Sequence, residues 1–82
     1  MVKISLKVET YSGYKADERP VSFTLLNRRF QVREIVDQWY GVDHTYYKLI
    51  ADDSNLYIIR HDREMDEWEM VMMEAAQEKV GL

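Results

Sequence analysis

At 82 residues, with 46% hydrophobic and 32% charged side chains, the chain has room for one core and is read as a single domain, 1–82. The absence of cysteine excludes a disulfide framework and a thiolate zinc site, and one proline with three glycines leaves no linker or low-complexity stretch. The net charge of −4 is split, +3 over residues 1–35 and −7 over residues 36–82, a layout that favours protein contact over bulk phosphate binding.

The first residues, Met1-Val2-Lys3-Ile4-Ser5-Leu6, alternate and form no apolar run, so no export signal is read and a cytoplasmic location is expected. No stretch approaches the roughly 18 apolar residues of a membrane span, and no membrane partner is expected. Val2, Ile4, Leu6 and Val8 fall every second residue, which predicts a strand with one buried face. Ser12–Glu18 then reads as a loop. Arg19-Pro20 opens a second strand, since a proline fits where no ladder donor is needed, with Val21, Phe23 and Leu25 as its inner face.

Asn27-Arg28-Arg29 is read as a short connection into a third segment. There Val32, Ile35, Val36 and Trp39 have the i, i+3, i+4, i+7 spacing of a helix that Gly41 would end. The same spacing arises in a strand whose phase slips at a β-bulge between Val32 and Ile35. The β-branched and aromatic content favours the bulged strand.

Thr45–Ala51 and Leu56–His61 are strand-like and flank Asp52-Asp53-Ser54-Asn55, four turn-forming residues, so they predict a hairpin. In the last segment Asp66 and Glu69 fit a helix-capping box, whereas Trp68, Met70 and Met72 alternate with Glu67, Glu69 and Val71. The strand reading is preferred for Glu67–Met73, followed by a short helical or frayed tail over Glu74–Lys79. Trp39 and Trp68 are both expected in the core, in phase with apolar strand faces.

No active site is legible. His61-Asp62-Arg63-Glu64 with Asp66 and Glu67 is dense in potential ligands, but its spacing fits no metal motif and Arg63 adds a cation, so it reads as a solvated turn. Asp52–Asn55 lacks the glycine and distal glutamate of a calcium loop. His44 beside Asp43 has no nucleophile nominated by sequence. No metal and no cofactor are expected, and an enzyme is not.

The six tyrosines and two tryptophans are the remaining signal, with Trp39-Tyr40 and Tyr46-Tyr47 flanking one loop. On a sheet surface they would stack single-stranded bases, with Arg28 and Arg29 at a hairpin tip contacting phosphates. As core residues they would close a small β-domain. Met65, Met70, Met72 and Met73 add adaptable apolar surface of the kind used to dock a partner or a second copy of the chain.

Arg19-Pro20-x-x-Phe23, Phe30-x-Val32-x-x-Ile35-x-Asp37-x-Trp39-Tyr40, Tyr47-Lys48, Tyr57-x-Ile59 and Trp68 form a loose pattern that resembles a group of small bacterial cytoplasmic β-domain proteins. Somewhat similar short proteins occur beside genes for accessories of error-prone DNA polymerases, so the resemblance implies a DNA-damage context and carries over no functional residue. The fold expected is mainly β: five or six antiparallel strands in a meander or half-barrel with a short C-terminal helical tail. The function expected is a non-enzymatic accessory or protein-interaction module. A β-sheet binder of single-stranded nucleic acid through Arg28 and Arg29 is the alternative, and a small enzyme a distant third.

Overall fold

The computed structural model describes residues 4–11 and 19–75. They form six antiparallel strands: β1 (Ile4–Tyr11), β2 (Arg19–Leu25), β3 (Arg28–Tyr40), β4 (His44–Ala51), β5 (Leu56–Asp62) and β6 (Glu67–Glu74). Each strand pairs with the next, and β6 returns to β1 through Ile4, Ser5 and Leu6 opposite Met70, Glu69 and Trp68, closing a barrel. This ladder overturns the expected half-barrel. A sheet gains by closing because edges with unpaired backbone groups disappear along the closed seam.

Among the described residues there is no helix. Glu74, the expected start of the helical tail, still belongs to β6, while residues 76–79 and the loop expected over Ser12–Glu18 lie outside the described residues. The helical options at 32–40 and from Glu67 fail, and both segments are strands.

The bulge expected in β3 is present and is one of two. Val32 and Glu34 face the consecutive residues Ala51 and Ile50, leaving Arg33 extra, and Ile35 and Asp37 face Leu49 and Lys48, leaving Val36 extra. Each extra residue reverses which side chains point inward. The inward positions therefore run Phe30, Val32, Ile35, a spacing of two and then three that imitates a helix. Past the second bulge Trp39 lies opposite Tyr46 on the outer face, so it is 38% exposed and not in the core. Trp68, 9% exposed, is in the core as expected. A bulge also corrects the inner face of β2: Glu9 and Thr10 pair with Ser22 and Pro20, so Val21 is extra and turned out and Pro20 takes the buried position.

Two aromatic groups fill the interior. Phe23 stacks on Phe30 with centroids 5.2 Å apart, and both abut Tyr57. At the other end Tyr47 packs on Trp68 at 5.6 Å, with Leu49, Ala51 and Ile59 between. Each such large apolar side chain contributes about 1.5–3 kcal/mol by leaving water. The Tyr57 hydroxyl donates to Asp53 Oδ2 at 2.6 Å, in the turn after β4, which gives a buried polar atom its partner.

Candidate functional site

Arg28 and Arg29 belong to β3 itself, because the turn before it is shorter than expected. Leu25 pairs directly with Arg28, and Leu26 and Asn27 both have positive φ (52° and 68°), the signature of a two-residue primed hairpin turn. As strand neighbours the two arginines face opposite sides. Arg28 lies over the Phe30 ring, 4.9 Å from its centroid. Arg29 donates to Glu9 Oε1 at 2.7 Å on the outer face, where the Ser22 hydroxyl donates to the same oxygen at 2.6 Å. Ser22 first, and then Arg29, holds the Glu9 carboxyl below its ordinary range. Roughly 30 Å of strand separates this pair from Trp39, so the arginines and the Trp39–Tyr46 pair form no single surface.

The other end of β3 carries the more organised surface. Trp39 stacks on Tyr46 of β4 with centroids 5.4 Å apart and planes within 2°. Tyr46 is held in turn by Arg60 of β5, whose guanidinium bonds Glu69 of β6 at 2.8 Å and approaches the Tyr46 hydroxyl at 3.5 Å. The order Trp39, Tyr46, Arg60, Glu69 is thus one cross-strand row on the outer face. Gly41 allows the Tyr46 ring to lie close, since a Cβ there would meet Tyr46 Cε1 at 3.1 Å.

The β3–β4 turn beside this row is fixed from outside. Arg63, in the turn between β5 and β6, donates to Thr45 Oγ1 at 2.9 Å and to the carbonyls of Gly41 and Val42 at 3.1 and 2.7 Å. Its backbone N–H donates to the Asp43 carbonyl at 3.0 Å, and the Gly41 N–H donates to the His44 carbonyl at 2.7 Å. At the tip of this braced turn Val42 is 91% exposed, and Tyr40 beside it is 69% exposed.

The histidines serve the same end of the barrel. His61 stacks on Trp68 at 4.4 Å, and its Nε2 lies 2.8 Å from Asp66 Oδ1. His44, expected in a loop beside Asp43, opens β4, and its Nε2 lies 3.7 Å from Asp62 Oδ2. Among the described residues no three His, Asp or Glu side chains converge as ligands for a metal ion. Of the clustered methionines, Met70 packs on the core, whereas Met65, Met72 and Met73 are exposed.

Sequence reasoning found the aromatic quartet around the loop and misplaced Trp39. It missed Arg63 and Val42, because a brace formed between two turns distant in sequence leaves no local signature. Comparison with protein-family models, with curated proteins and with solved structures finds no match.

Proposed function

We propose that this protein is a non-enzymatic protein-interaction module whose contact surface is the β3–β4 end of the barrel. The observation that carries the reading is Val42, exposed at the tip of a turn that Arg63 braces, with Tyr40 and the Trp39–Tyr46 stack beside it. An apolar side chain held rigidly in water gains on binding without a large ordering cost, and Trp and Tyr are the residues most enriched among energetic anchors of interfaces.

The nucleic-acid alternative has less support, since Arg28 and Arg29 face opposite sides and Arg29 is paired with Glu9. The test is affinity capture from native cell extract, with and without nuclease, using the parent protein, Val42→Asp and the double variant Arg28→Glu with Arg29→Glu. Partners that survive nuclease, disappear with Val42→Asp and persist with the arginine variant are expected. Capture that nuclease abolishes, or that only the arginine variant loses, would reverse the ranking of the two readings.

A further inference from the structure

The outside of the barrel differs from one side to the other. Over β1, β2 and the start of β3 it is polar, in the cross-strand rows Lys7–Thr24–Arg29 and Glu9–Ser22–Gln31. Over β4 to β6 it turns apolar. Thr45, Tyr47, Leu49 and Ala51 of β4 are buried, as are Tyr57 and Ile59 of β5, so Ile50, Leu56 and Ile58 point outward and are half-buried. Met72 of β6 stands exposed opposite Ile58. Leu49-Ile50-Ala51 and Leu56-Tyr57-Ile58-Ile59 are therefore apolar on both faces, the pattern of strands covered on both sides.

The cover cannot add as a strand, because β4 is paired with β3 and β5, and β5 with β4 and β6. It lies across the face. Exposed carboxylates mark both margins: Glu34 of β3 is opposite Ile50, and Glu74 of β6 is opposite Leu56. Lys48 is opposite Asp37, so those two charges sit side by side and the margins keep a negative balance. We propose that the outer face of β4 and β5 docks an amphipathic helix of a partner protein, its apolar side over Ile50, Ile58 and Met72 and its lysines or arginines beside Glu34 and Glu74. Strands β3 and β6 are three strand spacings apart, roughly 14 Å, which admits a helix roughly 10–12 Å wide with its side chains. Apolar side chains at i, i+3, i+4 and i+7 enter such a face, and cationic stems reach past it to charges at the margin. A second copy of this chain fits poorly, because with strands aligned it would set β3 on β3 or on β6, carboxylate against carboxylate.

This surface rests on the interaction-module reading but is distinct from the Val42 tip. The probe is a fluorescein-labelled, end-capped peptide of two Leu-Lys-Lys-Leu-Leu-Lys-Leu heptads, compared with versions carrying glutamate for lysine or glutamine for leucine. Saturable binding with a Kd on the order of 10–100 μM is expected, with a gain of helical circular dichroism and amide shifts at Lys48–Ile50 and Leu56–Ile58. The glutamate and glutamine peptides should not bind. Ile58→Ser and Met72→Ser, both on the outer face, should each weaken binding about tenfold with the amide spectrum of the buried residues retained. Glu34→Gln with Glu74→Gln should weaken it about three- to tenfold. Val42→Asp should leave this titration unchanged, so either surface can fail without the other. No saturation, equal binding of the glutamate peptide, or shifts confined to β1 and β2 would overturn the proposal. So would a peptide-free dimer that Ile58→Ser dissociates, or contacts of residues 76–82 with Ile58 in the peptide-free protein.

Discussion

Arg63 joins two turns that the chain order keeps apart, and its three side-chain hydrogen bonds end on Thr45, Gly41 and Val42. Arg63→Met keeps the stem and removes the donors, and it is expected to cost about 1–2 kcal/mol with faster amide exchange at Gly41. An unchanged urea midpoint and exchange rate would show that the brace carries no weight. The two tryptophans separate by environment. Trp68→Ala should cost about 3–5 kcal/mol, enough to unfold a marginal domain, whereas Trp39→Ala should cost about 1 kcal/mol. Equal losses for the two would contradict the outward placement of Trp39.

The Asp53–Tyr57 pair ties stability to pH at both extremes. Burial pushes the Asp53 carboxyl up, but hydrogen bonds from Tyr57 and Asn55 outweigh it and leave the group below its usual range. Burial, with the bond to Asp53, pushes the Tyr57 hydroxyl up to about 12. A depressed carboxyl stabilises the fold above its unfolded value, about 3.9, and that share is lost as pH falls through the folded value. A raised phenol stabilises it below about pH 10, and that share is lost as pH rises through the folded value. Tyr57→Phe should cost about 1 kcal/mol at neutral pH and flatten both flanks of the stability profile, measured by urea unfolding at a series of pH values.

β3 shows why some of the fold was legible and some was not. Alternation of Leu6 with its neighbours and the Asp52–Asn55 turn are local signals, and β1, β4 and β5 formed where they pointed. Val32, Ile35, Val36 and Trp39 mislead because two bulges add two residues, and the pattern then reports the inward face of no single regular element. One bulge was inferred; the second reverses Trp39, so the aromatic surface was read as core. The hairpin before β3 has its own test. Leu26 holds φ 52° in water, a conformation that costs a branched side chain about 1 kcal/mol and that asparagine tolerates. Leu26→Asn should raise stability by about 0.5–1 kcal/mol, and a lower melting temperature would show that Leu26 makes a contact the turn requires.

The barrel closes because β1 serves two neighbours, pairing with β6 through Leu6 and with β2 from Lys7 onward. Sequence alternation specifies that β1 is a strand and says nothing of which strand lies at its side, so closure was not legible. Closure also sets where partners can approach. The β2–β3 hairpin lies at one end of β3 with Arg28 and Arg29, and the braced β3–β4 turn lies at the other with Val42. The second end is the contact surface proposed for this protein. The most direct measurement places the photo-crosslinking residue benzoylphenylalanine at position 42 in one protein and at position 26 in another, and irradiates living cells of the source. Discrete protein adducts from position 42, and few from position 26, are the predicted result. Adducts of equal yield from both positions, or nucleic-acid adducts from position 26 alone, would contradict it.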